Sequence, residues 1–299
     1  MSIGHTQPDI QKSRIANSMG RAKILMEALP YIKEFRGKTV VIKYGGSAMD
    51  DPALRESFAG DVTLMAMVGI RPVVVHGGGP QISAAMKTEG IEPAWVEGLR
   101  VTDAATMGVV QRTLVGVINP EIVRFLNGHG ATAIGVNGLD ADLFRAEPRD
   151  ARLGYVGEIT KVNTGVIQGM VEQGLVPVVA PIARGEDGHV YNVNADTAAG
   201  VLATALQAQK LVYLTDVEGV YLDHSDPSTL VSRMNLPDLE GILATMDGGM
   251  LPKLLSVAHA LRGGVAQAHI LDGRTQHALL LEVFTSEGIG TMITPKGAQ

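Results

Sequence analysis

Apolar residues recur at helical spacing at Ile15, Met19, Ala22, Met26 and Leu29 within an otherwise polar segment. This predicts an amphipathic helix over residues 10–35, ahead of any strand. Pro30 should kink or split it, because proline lacks the N–H that reaches back one turn. Such a helix can lie on its own domain or serve another chain, and spacing does not choose between the two. The pattern then changes. "KTVVIKYGG" is a short β-branched run that ends on glycine, and a helical pattern follows over about 52–67. "RPVVVHGGGPQISAAMK" repeats the plan of strand, glycine turn and helix, with Pro80 at the first helical position.

Beyond a loop carrying Trp95, a helical region over about 103–126 is broken by Pro120. "ATAIGV" and "LVPVVAPI" read as strands, and residues 143–161 between them read as an antiparallel excursion containing "YVGEIT". The turn "GEDG" leads to "HVYNVNAD" and a helix over about 197–208. "KLVYLTDV", "AHILD" and "GTMI" supply further strands, and helices are expected near 236–246 and 252–261. Strands alternating with helices need crossover connections, so the sheet is mainly parallel. No linker separates the halves, which therefore share that sheet and divide near "ARGEDG".

Composition narrows the chemistry. The 299 residues include 36 Gly and only 4% aromatics, which fits tight turns and an aliphatic core of the kind that parallel sheets bury on both faces. Lys+Arg 25 against Asp+Glu 31 gives a net charge of -6, so no basic field awaits a nucleic acid or an anionic membrane. The absence of cysteine excludes disulfides, thiolate metal sites and cysteine nucleophiles. The polar start has no signal-peptide core and no run is long enough to span a bilayer, so a cytoplasmic location is expected.

In an open α/β sheet, ligands gather where strand ends meet helix N-termini. Four stretches qualify: "VIKYGGS", "VVVHGGGP", "YNVNAD" and "DGGMLPK". Lys43 would point into the crevice beside Gly45 and Gly46, whose bare backbone lets an anion approach, although a lysine at a strand end can also simply be exposed. Gly78 and Gly79 belong to a run of three glycines whose backbone entropy cost a simple turn does not require. Asp196 opens a helix, where a carboxylate serves as a cap, and Asn192 and Asn194 add neutral donors. Lys253 falls in a helix's first turn, where a cation is locally unfavourable unless ammonium and helix end act on one anion. Two lysines beside glycine turns, with a carboxylate to orient them, suit phosphoryl transfer. A P-loop, a dinucleotide fingerprint, paired histidines and a G-x-S-x-G nucleophile are all missing, and "DHSDPST" lacks the spacing of a calcium loop.

Taken in order over residues 38–293, "KYGGSAM", "VVVHGGGPQI", "GLRVT", "NVNAD", "LTDVEGVY" and "GGMLPK" resemble the amino-acid kinase family, and within it the members that phosphorylate N-acetyl-L-glutamate. The resemblance implies an open αβα sandwich preceded by an N-terminal helix. Residues 1–36 would form an oligomerisation and regulatory extension, 37–185 an acetylglutamate lobe and 186–299 an ATP lobe. Lys43 and Lys253 correspond to the lysines that stabilise the transferring phosphoryl group, and Asp196 to the carboxylate that holds both. Gly78, Gly79, Arg100 and Asn192 match substrate contacts. Gly45 and Gly46 match the phosphate-facing turn, and Thr215 and Asp216 the nucleotide side. Mg²⁺ would sit on phosphates and water, with no protein ligand set. A γ-carboxylate, with a pKa of about 4.3, is already the nucleophile at neutral pH and needs no general base.

The long N-terminal helix and the segment "AHILDGRTQHALLLEVFTSEGIGTMI" resemble the arginine-inhibited members. That implies a hexameric trimer of dimers in arginine biosynthesis, with L-arginine near His269, Glu282 and Gly288, and a PII-type signalling protein as a further partner. Two alternatives stand beside this reading. One is another carboxylate kinase of the fold, acting on acetylaminoadipate or aspartate; the other is a non-catalytic amino-acid sensor.

Overall fold

The computed structural model describes residues 8–296 apart from His224, Asp247, Ser286 and Glu287, so residues 1–7 of the expected extension and parts of "DHSDPST" and "DGGMLPK" lie outside the described residues. Of the expected kink or split at Pro30, the split does not occur: helix α1 (Pro8–Phe35) continues past it. The lost bond falls in an exposed stretch where water can take the freed carbonyl. Among the described side chains of α1, Met19, Ile24, Leu25 and Met26 are 64–72% exposed, whereas Tyr31 and buried Phe35 at the root pack on the core.

Strands β1 (Thr39–Tyr44) and β2 (Arg71–His76) flank α2 (Pro52–Met67), and α3 (Gly79–Thr88) follows. The hairpin β3 (Trp95–Val96) and β4 (Leu99–Arg100) precedes α4 (Ala104–Thr113), a π-helical turn (Leu114–Ile118) and α5 (Asn119–Gly128). This helical path is not broken at Pro120. The π turn shifts the hydrogen-bond register just ahead of it, so the missing N–H falls where the ladder is already re-forming. Next come β5 (Ala133–Asn137), β6 (Phe144–Pro148), β7 (Gly157–Val162), α6 (Gly165–Glu172), β8 (Val176–Ala180), β9 (Ile182–Gly185) and β10 (Val190–Asn192). The remainder holds α7 (Ala195–Ala205), β11 (Lys210–Thr215), β12 (Val220–Tyr221), β13 (Leu230–Val231), β14 (Arg233–Asn235) and α8 (Leu236–Ile242). It ends with α9 (Met250–Arg262), β15 (Gln267–Asp272), α10 (Ala278–Phe284) and β16 (Thr291–Thr294).

Eight strands form one sheet in the order β14-β16-β15-β11-β1-β2-β8-β5, parallel throughout except between β15 and β16. Alternate residues feed two cores. Val41, Val73, Val75, Leu211 and Tyr213 pack beneath α6, α7 and α9 on one face. Val40, Ile42, Val74, Val178 and Val212 pack beneath α2, α4, α5 and α10 on the other. All ten are 0% exposed, each burial contributing about 1.5–3 kcal/mol, and this two-sided cover makes the αβα sandwich. The expected antiparallel excursion is the pair β6–β7, within a four-stranded sheet ordered β10-β9-β6-β7. Strand β10 thus pairs with strands that precede the "GEDG" turn.

Candidate active site

Three side chains converge at the carboxyl edge of the sheet. Lys43 is the next-to-last residue of β1, Asp196 lies in the first turn of α7, and Lys253 lies in the first turn of α9. A Cβ on Gly200 would sit 2.2 Å from Ser256 Oγ, so the glycine lets α7 and α9 approach closely and brings their N-termini together. Lys253 Nζ donates to Asp196 Oδ2 at 2.8 Å, and Lys43 Nζ lies 3.1 Å from Oδ1. The Lys43 contact is an ion pair without hydrogen-bond alignment, since Oδ1 has no aligned donor. Burial would raise the Asp196 carboxyl, but the two ammonium groups hold it at about 2. Burial also lowers Lys253, against the opposing pull of Asp196.

Asp196 is not the helix cap that its sequence position suggests. Asn194 caps α7, accepting from Asp196 N and Thr197 N, which frees the Asp196 carboxylate to face both lysines. The Asp196 carbonyl accepts from Ser256 Oγ at 2.8 Å and Tyr213 OH at 3.1 Å, and Lys253 Nζ stands 5.4 Å from the Tyr213 ring centroid. Sequence reading missed Tyr213 and Ser256. Nothing local marks them, for the Ser256 bond spans 60 positions.

The glycine turns shape a cleft of about 290 Å³ beside this centre. A Cβ on Gly45 would meet Lys43 Nζ at 2.8 Å, so a larger residue there would push the ammonium from its place on Asp196. Gly46 has φ +72 and presses against Asp216. Gly78, Gly79, Arg100 and Asn192 line the same cleft. Arg100 is 6% exposed, so it is not a surface charge. It donates to Gly79 O and Ser83 Oγ at 2.8 Å each, and its guanidinium stands 4.4 Å from the Trp95 ring centroid. Burial lowers its pKa, and among the described residues no carboxylate pairs with it. A buried guanidinium without an anion is costly, so the cleft is built to receive one. Trp95 and Ser83, which support it, were not foreseen. Asn192 donates to Thr102 Oγ1 at 3.2 Å.

A second cleft, of about 510 Å³, opens on the other side of Lys253 and is lined by Thr215, Gly219, Tyr221, Gly249 and Met250 among others. Lys253 thus borders this second cleft while its ammonium reaches Asp196 in the first. Asp216 does not line it. Its carboxylate accepts from Ser47 N at 2.8 Å and Ser47 Oγ at 2.6 Å, tying the turn after β1 to the end of β11. Asp216 therefore fixes the glycine turn, while Thr215 faces the cleft.

The three residues expected near L-arginine lie elsewhere. A third cleft, of about 260 Å³, sits at the amino ends of β11 and β15 beside the root of α1, and Glu282 and Gly288 line it with Tyr31, Glu34 and Lys210. His269 does not. It is 0% exposed in mid-strand, with Nδ1 2.7 Å from Glu282 Oε1 and Nε2 3.3 Å from Lys210 Nζ, so it stands behind the cleft and braces its charged walls. Burial lowers the His269 pKa.

Residues 38–272 match the amino acid kinase family. The acetylglutamate kinase of Caldanaerobacter subterraneus subsp. tengcongensis is 52% identical over 288 residues, covering 95% of this chain and 96% of its own. The structure of N-acetylglutamate synthase from Neisseria gonorrhoeae complexed with coenzyme A and N-acetyl-glutamate has a TM-score of 0.82 at 29% identity, covering 93% of this chain but only 64% of the synthase. The same synthase complexed with coenzyme A and L-arginine gives a TM-score of 0.79 at 27% identity, covering 92% and 66%. With this identity along nearly its whole length, and two lysines meeting on one carboxylate between two clefts, the chain belongs to the amino acid kinase family, as a kinase grouped with its acetylglutamate kinases.

Proposed function

We propose that the protein transfers the γ-phosphoryl group of ATP to the γ-carboxylate of N-acetyl-L-glutamate, giving N-acetyl-γ-glutamyl phosphate and ADP in arginine biosynthesis. The observation that carries this reading is the meeting of Lys43 and Lys253 on one buried carboxylate, next to Arg100, which has no carboxylate partner among the described residues. A carboxylate oxygen forms the new bond to phosphorus, the bond to the bridging β–γ oxygen breaks with its electron pair leaving on ADP, and no proton moves. The barrier is charge: two anions must meet, and unit charges 4 Å apart repel by about 4 kcal/mol at an effective dielectric constant of 20. The lysines offset that repulsion from both sides, and Asp196 holds them in place beforehand. Arg100 takes the α-carboxylate, while Asn192 and the Gly78–Gly79 backbone orient the acyl-amino part.

ATP fits the second cleft, with Thr215 on the nucleotide side and Gly45 and Gly46 facing its phosphates. Among the described residues no group of His, Asp and Glu could hold a metal ion, so Mg²⁺ would travel on the phosphates and water and supply further positive charge there. The division of labour follows residues 37–185 for the acceptor and 186–299 for the nucleotide, except that Asn192 crosses to the acceptor and Gly45 and Gly46 to the phosphates, in the cytoplasm. No helix among the described residues is long and apolar enough to cross a membrane.

L-Arginine is the proposed inhibitor, bound in the third cleft. Lys210 and the pair Glu34 and Glu282 suit a ligand carrying both a carboxylate and a cation. The synthase complex with L-arginine supports an arginine site on this scaffold. The exposed apolar residues of α1 support a hexamer, a trimer of dimers joined by these helices. Steady-state ADP release tests the whole reading. Acetylglutamate should turn over at least tenfold faster than acetylaminoadipate or aspartate, and L-arginine should inhibit. Preference for another acceptor reassigns the substrate, and nucleotide binding without turnover makes the protein a sensor. A chain lacking residues 1–30 that still sedimented as a hexamer would refute the helix-mediated assembly.

A further inference from the structure

His76 ends β2 directly before the glycine turn and is 0% exposed, yet the chemistry above does not use it. Its Nδ1 lies 2.9 Å from the Gly77 carbonyl, and its Nε2 lies 3.2 Å from Asn119 Nδ2. Asn119 Nδ2 also reaches Val178 O on β8 at 2.8 Å and, more distantly, Val136 O on β5 at 3.4 Å, so its two N–H bonds serve Val178 O and Nε2 with the longest contact shared. An amide oxygen in that position would face two carbonyl oxygens, so the nitrogen must point there. Asn119 then donates to Nε2, which fixes the histidine as the tautomer with its proton on Nδ1, donating to the Gly77 carbonyl. Burial holds the ring down at about 4 even though the Gly77 carbonyl pulls the other way, so it stays neutral at physiological pH.

Three further features converge on the same turn. Gly135 on β5 admits the Asn119 amide, since a Cβ there would lie 2.0 Å from Oδ1. Asn119 directly follows the π-helical turn, and that turn lays Leu114 and Ile118 over Gly78, where a Cβ would meet their methyl groups at 2.9 and 2.5 Å. Gly77 N donates to Tyr44 O at 2.8 Å, so both polar backbone groups of Gly77 are engaged within the protein. The Gly78 and Gly79 N–H groups, by contrast, meet no backbone acceptor among the described residues.

We propose that Asn119 and His76 are positioning residues for the acceptor: a hydrogen-bond chain from β8 through Asn119 and His76 to the Gly77 carbonyl aims the Gly78 and Gly79 N–H groups into the cleft. This rests on the acceptor assignment made under Proposed function. The chain presets the turn before substrate arrives, so its loss weakens acceptor binding and leaves the nucleotide side alone.

Two measurements test it. Nitrogen-15 NMR of the full-length protein at pH 7 should show His76 neutral and protonated on Nδ1; a proton on Nε2 overturns the chain and needs no variant that must fold. Asn119→Ala and His76→Gln should each raise the acetylglutamate KM about tenfold, with the ATP KM moving less than twofold. The double variant should be no worse than either single one, because both act through one link. Equal rises in both KM values, an unchanged acetylglutamate KM, or multiplying effects in the double variant overturn the proposal. Wild-type protein inactive on acetylglutamate would instead sink the acceptor assignment, and the tautomer measurement would still decide the hydrogen-bond chain.

Discussion

The two edges of the central sheet carry the same materials in different proportions. At the carboxyl edge, Lys43 and Lys253 share one carboxylate, and Arg100 stands nearby with none, so the site keeps an excess of positive charge. At the amino edge, Lys210 and Arg233 stand with Glu34 and Glu282, with neutral His269 behind Lys210, so the two signs balance. The first edge attracts anions and can hold two of them together; the second selects a ligand that carries charges of both signs. Helix N-termini reinforce the contrast. Asp196 and Lys253 sit in first turns, where backbone N–H groups add to the positive field, whereas Lys210 begins a strand and relies on the Phe35 ring, whose centroid lies 4.8 Å from its Nζ. Parallel strands put glycine turns and helix starts at one edge only, which is why chemistry gathers there.

Removing the charge excess should break the contrast most severely. Lys253→Ala should lower kcat roughly 10³-fold, about 4 kcal/mol, with acetylglutamate KM little changed, because the ammonium acts on charge that develops in the transition state. Near-normal turnover would mean that the carboxyl edge works without its second lysine. Next is the response to acid. Asp196 is depressed from 3.8 to about 2, so its stabilising contribution is present above pH 4 and is lost as the pH falls through about 2. Denaturation curves between pH 4 and 2 should show a loss of about 2 kcal/mol in the wild type that is absent in Asp196→Asn. Equal slopes for the two proteins would contradict the ion-pair account.

Arg100→Lys should raise the acetylglutamate KM about tenfold, near 1.4 kcal/mol, since one ammonium cannot hold Gly79 O, Ser83 and a carboxylate at once; initial-rate kinetics would register it. The smallest expected effect is at the amino edge. Glu282→Gln should raise the arginine concentration for half-inhibition about fivefold, near 1 kcal/mol, while both KM values shift less than twofold. A fall in turnover of the same size would mean that the two edges are not separable.

The sequence alone was legible wherever the signal is local. Lys43, the glycine turns and the first-turn position of Lys253 follow from a β-branched run, a glycine, and a proline at a helix start within a dozen residues. The mainly parallel sheet followed from the alternation of strand and helix. Contacts across the chain were not legible. Asn119 reads as an ordinary residue before a proline until folding places it 3.2 Å from His76, 43 positions away. Nothing local to His269 shows that its strand buries it between Lys210 and Glu282. Nor does anything local to Asp216 show that its carboxylate accepts from Ser47, 169 positions earlier.

What the sequence determined by itself was which segments become strands, turns and helix starts, because backbone sterics and apolar spacing act over a few residues. What only the tertiary structure decided was where the charges stand and what faces them. Burial and distance set a side chain's field, and both arise only when segments far apart in the chain pack together.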